Sequence, residues 1–287
     1  ADFGTPPAYA ALRMLTDCAD WRALQRPPVP QTTFQLTVVL AGRSAVLEPS
    51  KPAEPAGRRA LPVVHELDPA LMGPEGERVL DESYWLFEEY VLAMTSGQVR
   101  VQRVVVPLPG LTISAELGPG QVKISRGESE RALSAVPKPI AQRTDGWHLV
   151  YPSCVPQGEA YAGERFVTGG MRRGPDRSPC FVSTDLKFLR AANQNGRHVL
   201  LPIERRAALP QWLQHEFFHY LFAAYPQLRL ESTSHQWHDR AAWPADFTGS
   251  LEVDYYEEAL HKRLQLQTSP PLSFQFRHAP ERSVPGR

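Results

Sequence analysis

The segment His215-Glu216-Phe217-Phe218-His219 constrains this 287-residue chain more than any other stretch. In an α-helix, residues i and i+4 lie one turn apart on one face. Two imidazoles placed this way can address a single metal ion, and a carboxylate next to the first of them stands where a reacting water would be. The spacing carries chemistry only on a helix, and the flanking sequence predicts one. Leu209-Pro210 offers a helix start, because proline is tolerated in the first turn where its missing N–H is not needed. Gln211 to Ala224 contains neither Gly nor Pro, and Pro226 stops the run. Leu213, Phe217, Tyr220, Leu221 and Ala224 form an apolar stripe at helical spacing. His215 and His219 fall on a different face, near Trp212 and Phe222. The plain alternative is an amphipathic helix on which two ordinary histidines flank a glutamate.

On these five residues and their helix the chain resembles the zincin superfamily of zinc metallopeptidases. The resemblance implies that His215 and His219 bind zinc and that Glu216 is the general base of peptide-bond hydrolysis. The metzincin extension is absent: Ala223 and Pro226 are among the residues after His219, and neither the required Gly nor a further His follows at the right distance. A catalytic zinc takes three protein ligands and keeps one position open. In the gluzincin group the third is an acidic residue on a later helix, with another acid one turn on supporting a ligand histidine. The stretch Asp254-Tyr255-Tyr256-Glu257-Glu258 is similar to that arrangement, with Ser250 as a plausible N-cap and with Asp where the group carries Glu. Asp254 is therefore the expected third ligand, with Glu258 and His235 as alternates. Tyr255 is the expected donor to the oxyanion, a role that Tyr256 or His235 can also fill. The bland readings are a solvated face for Asp254 and Glu258, and a backbone-bonded loop histidine for His235.

Composition narrows the partners. The 31 basic and 31 acidic residues cancel, which argues against a nucleic-acid protein. No run approaches the roughly 18 apolar residues of a membrane span. The resemblance implies zinc as cofactor and a protein or peptide as substrate, and a monomer is expected. The chain starts at Ala1, so a trimmed, secreted or periplasmic product is expected. Cys18, Cys154 and Cys180 allow one internal disulfide at most. Cys154 and Cys180 bracket a Gly/Pro/Arg-rich stretch and are the expected pair, against the alternative of three reduced thiols. No C-x-x-C pair points to a structural zinc. A reading from another class is a secreted binding or interaction module in which the motif is incidental or degenerate.

Periodicity predicts helices over 9–24 and 81–95, and strands over 33–40, 61–66, 98–108, 111–117, 121–125, 148–151 and 198–203. Residues 48–61 and 169–175 read as loops; the second is a basic surface loop with no partner, or, as the alternative, the border of a substrate subsite. The expected organisation is an N-terminal extended and helical segment over 1–30, a metallopeptidase domain over 31–266 and a Pro-rich tail over 267–287. The expected fold is α+β and zincin-like: a twisted mixed sheet packed against a backing helix and the helix that carries the motif. The resemblance also implies that an edge strand of this sheet aligns the substrate by strand addition.

Overall fold

A computed structural model describes residues 7–24, 31–47, 63–66, 74–118, 121–124, 126–151, 172–173, 179–185, 190–192 and 198–200, together with Pro210, Gln211, Leu213, Gln214, His215 and Phe217. The elements in chain order are α1 (Pro7–Ala23), β1 (Thr32–Leu47), β2 (Val63–Glu66), α2 (Pro74–Met94), β3 (Val99–Gly118), β4 (Gln121–Ile124), α3 (Arg126–Ser134), α4 (Lys138–Ala141), β5 (Gly146–Tyr151), β6 (Arg172–Arg173), β7 (Pro179–Asp185), β8 (Arg190–Ala192) and β9 (His198–Leu200). The main sheet runs β4-β3-β1-β5-β7-β6, with β2 also on β1, while β8 and β9 form a separate antiparallel pair. Its centre is parallel: β1 pairs with β3 and β5, and β5 with β7. The strands at its margins, β2, β4 and β6, pair antiparallel. This mixed sheet with helices is an α+β arrangement, as expected. Among the described residues no helix is long and apolar enough to cross a membrane.

Strand β1 is central and reads as a near-continuous apolar run because both of its faces are covered. One face carries Val39 and Ala41, with Val106 and Ile113 of β3 and Trp147, Leu149 and Tyr151 of β5, against Ala132 and Leu133 of α3 and the following Val136. The opposite face carries Phe34, Leu36, Val38 and His148, all fully buried, and α2 lies over it with Tyr84, Phe87 and Tyr90 equally buried. Each such apolar side chain contributes about 1.5–3 kcal/mol by leaving water. Helix α1 packs on α2, where Arg22 pairs with Glu89. Cys18 is free and buried, and burial pushes its thiol up to about 12.

The turn from α2 into β3 is closed by its own residues. Ser96 and Gly97 have φ of 52° and 82°; Gly97 N–H reaches Leu92 C=O at 2.8 Å and Ser96 N–H reaches Ala93 C=O at 3.0 Å. This pair of bonds satisfies the last helical carbonyls, with the left-handed position held by Ser96. The Thr95 hydroxyl donates to Val91 C=O at 2.8 Å and accepts from Val99 N–H at 3.0 Å, so α2 leads directly into β3.

The two strands expected over 98–108 and 111–117 are one strand. The break between them is absorbed in the pairing: opposite Ala41 and Arg43 the partner jumps from Leu108 to Thr112. Gly42 lies at this bulge, and a Cβ there would stand 2.1 Å from the Pro109 carbonyl oxygen. The prolines of β3 are tolerated for a positional reason. Thr32 N–H donates to Gln98 C=O at 2.8 Å. Strand alternation then turns the backbone groups of even residues 98–106 towards β1 and puts the Pro107 nitrogen on the outer edge, where no ladder bond is lost. Further along this edge α3 covers the backbone, with Ser114 N–H donating to Glu128 at 2.7 Å and Arg131 donating to Thr112 C=O. Prolines and side-chain plugs of this kind discourage further strand pairing.

Candidate metal centre

Pro210, where the sequence predicts a helix start, is helical. Pro210, Gln211, Leu213, Gln214, His215 and Phe217 are helical and buried. Leu213 and Phe217, one turn apart, are 3 % and 1 % exposed. The Phe217 ring meets Phe34 of β1 edge-on at 5.2 Å and 85°, and Phe87 of α2 at 6.0 Å and 79°. Such T-shaped contacts add about 0.5–1.5 kcal/mol each beyond area burial. They seat this helix on the sheet face that α2 also covers.

His215 stands two positions before Phe217, about 200° round the helix from it. It faces away from the Phe34–Phe87 contact and is nevertheless only 4 % exposed. Gln214, one turn before Phe217, is 2 % exposed, and its Nε2 finds no acceptor among the described residues. A buried donor in that state costs about 1–3 kcal/mol, and the cost is carried directly beside His215. The signal for Gln214 in the sequence is a polar side chain next to an otherwise apolar stripe.

Of the residues that the sequence nominates, His215 is described. Glu216, His219, His235, Asp254, Tyr255 and Glu258 lie outside the described residues, as does Cys154 of the expected disulfide. Among the described residues no group of three His, Cys, Asp or Glu side chains comes together, and that set includes one of the candidate ligands. The donor set itself suits zinc. Two imidazoles and a carboxylate are the nitrogen and oxygen ligands that this borderline ion takes in catalytic sites.

Two features of the sheet were not legible in the sequence. One is a buried polar pair on the same sheet face. The Tyr84 hydroxyl of α2 hydrogen-bonds His148 Nδ1 of β5, and both side chains are fully buried. Burial lowers the His148 imidazole to about 3 and raises the Tyr84 phenol well above its ordinary value. Both groups are therefore uncharged in the folded chain, and the hydrogen bond joins a neutral phenol to a neutral imidazole. The Arg103 guanidinium of β3 lies 5.0 Å from the Tyr84 ring centre and pairs with Asp81 and Glu88 of α2. In the sequence His148 is one residue of an apolar strand, with nothing to mark it.

The other is the end of the sheet. Residues 169–175 read as a basic loop, yet Arg172 and Arg173 form β6, the terminal strand, paired antiparallel with β7 through Cys180 and Pro179. Comparison of the chain with family models, with curated proteins and with solved structures finds no match.

Proposed function

We propose that this chain is a zinc-dependent metallopeptidase in which His215, His219 and one acid or histidine from the later segment bind the metal. Asp254 is the first choice for the third position, with Glu258 and His235 as alternates. The observation that carries the reading is the seating of the His215 helix. Phe217 holds it against β1 and α2 on one face of a parallel-centred sheet. That layout agrees with the zincin resemblance, in which a backing helix and the motif helix share one sheet face; α2 takes the part of the backing helix. An antiparallel edge strand, β6, ends the sheet path.

Zinc, when bound, supplies Lewis acidity and makes a coordinated water acidic near neutral pH. The rest falls to the chain. His215 and His219, one turn apart, converge on the ion from one helix face when the helical repeat runs on through 219. Glu216 takes the proton of the attacking water and returns it to the leaving amine nitrogen. Tyr255 donates to the carbonyl oxygen as charge builds on it, a contribution of about 3 kcal/mol in comparable oxyanion sites. Phe217 positions the helix, and the buried setting of His215 excludes bulk water on its side.

The test is metal analysis joined to turnover. The full chain should purify with one zinc per molecule and cleave an unstructured protein substrate, with cleavage abolished by a chelator and restored by zinc. A chain that binds no zinc at micromolar levels overturns the proposal and leaves a binding module with an incidental motif.

A further inference from the structure

We infer that two copies of this chain pair through the outer face of α1, antiparallel and about a two-fold axis beside Thr16. The inference is independent of the peptidase reading, and it departs from the monomer that the sequence leads one to expect.

Helix α1 is apolar on two opposite faces. Ala10, Met14 and Cys18 are 0 %, 0 % and 4 % exposed and form its buried side, and α1 packs on α2. Leu12, Leu15, Ala19 and Ala23 recur at intervals of three and four residues, and this stripe lies about 180° round the helix from the buried one. Leu12 is 63 % exposed and Leu15 42 %, Ala19 and Ala23 are also exposed, and Tyr9 at 41 % borders the stripe. The outer side of a helix that meets only water is ordinarily polar, and a helix that is apolar on both sides is one that is covered on both.

The order of sizes along the stripe names the occupant. The bulky residues, Leu12 and Leu15, fill its first half, and the small ones, Ala19 and Ala23, its second. A second α1 laid antiparallel, with the two-fold axis between positions 16 and 17, sets Leu12 between the partner's Ala19 and Ala23. It sets Leu15 between the partner's Thr16 and Ala19. Large side chains then fill the spaces over small ones in both halves, and the same patch serves both copies. Parallel pairing would put leucine on leucine and alanine on alanine, crowding one half and leaving a gap in the other.

Charge agrees with the same register. Arg13 and Asp20 are seven residues apart and lie on one flank of the stripe. Asp20 is exposed, and Arg13 reaches Asp17 at 3.4 Å with 37 % of its side chain still exposed. A two-fold axis at this place brings like flanks together and sets each Arg13 level with the partner's Asp20, twice over. In a parallel pair the two would stand about 10 Å apart along the axis.

The experiment is sedimentation equilibrium on the full chain. An interface one helix wide is at the low end of specific contact areas, so half-association is expected at about 10–100 µM. Leu12→Glu should abolish the dimer, and its melting temperature at about 2 µM, where the chain is monomeric, should match that of the unaltered chain. Asp20→Arg should weaken association about fivefold, with a smaller effect at high salt. Under brief mild oxidation Thr16→Cys should give a covalent dimer that the unaltered chain does not, because the two positions meet at the axis. Ala23→Cys should not, because its two copies stand about 20 Å apart along the axis. A chain that stays monomeric at about 500 µM overturns the inference. In that case a lowered melting temperature for Leu12→Glu assigns the stripe to this chain's own residues, and an unchanged one to a different protein. A dimer that survives Leu12→Glu, or that is linked through Ala23→Cys and not through Thr16→Cys, overturns it as well.

Discussion

The Tyr84 hydroxyl and His148 Nδ1 meet in the fully buried space between α2 and β5. Burial in this space disfavours the charged form of the imidazole, so the folded chain holds it neutral. In the folded chain burial lowers this group to about 3, from an ordinary value of 6.5. The unfolded chain therefore binds a proton below about pH 6.5 that the folded chain refuses until about 3. The stabilisation is fully present above the unfolded value and is lost as pH falls through that window, at a slope of about 1.4 kcal/mol per pH unit. Urea midpoints measured from pH 7 to 4 should fall, and His148→Gln should flatten part of that fall relative to the unaltered chain. An identical pH dependence in the two proteins would show that His148 is not the group responsible.

Phe217 joins the motif helix to the rest of the fold. It is 1 % exposed and lies edge-on to both Phe34 and Phe87. Phe217→Ala should cost about 3–5 kcal/mol in denaturant unfolding, through lost transfer energy and a residual cavity. Phe217→Leu should cost clearly less. A loss below about 1 kcal/mol for the alanine variant would mean that this helix is not seated as described.

Gly42 and Gly127 should respond in opposite directions to the same substitution. A Cβ at Gly42 would meet the carbonyl oxygen of Pro109 at 2.1 Å, and the obstacle is backbone, so relief requires moving β1 away from β3. Gly42→Ala should destabilise by about 2 kcal/mol or more. Nothing lies within 4 Å of the Cβ position at Gly127, in the first turn of α3. Gly127→Ala should stabilise by about 0.5–1 kcal/mol through helix propensity and a less flexible unfolded chain. Thermal unfolding of the two single variants checks both signs.

At the proposed centre, binding and turnover should separate. Glu216→Gln should retain zinc and lose activity by about 100-fold or more, since a base is removed and no ligand is. His219→Ala should lose zinc. Among Asp254→Asn, Glu258→Gln and His235→Ala, the one with the largest fall in zinc affinity identifies the third ligand. Equilibrium dialysis with zinc gives the affinities, and peptide cleavage gives the rates. Full activity in Glu216→Gln would remove Glu216 from the mechanism.

Local signals in the sequence located most of the elements. The 3.6-residue period placed α1 and the second half of α2, although α2 begins at Pro74, seven residues before the expected start. The apolar run at Thr33–Leu40 marked the centre of β1, and the helix predicted from Pro210 is helical at its described residues. The short helices α3 and α4 carry weak patterns, with no fully apolar stripe, and were not visible. Strands β6 and β7 were not visible either, because Arg172–Arg173 and the Pro-Cys-Phe-Val-Ser run have no two-residue alternation of their own.

The sequence by itself determined the His215-Glu216-Phe217-Phe218-His219 spacing and predicted a helix there, and Pro210 to Phe217 are helical where described, because helical periodicity depends only on near neighbours. Tertiary structure decided the sheet order, the fusion of two expected strands into β3 around Gly42, the burial of His148 under Tyr84 and the terminal position of β6. Parallel strands pair residues far apart in the chain, such as Phe34 with Val101 and Val38 with His148. Their register is settled by which faces can be buried together, a property of the whole packed assembly that no short window of sequence contains.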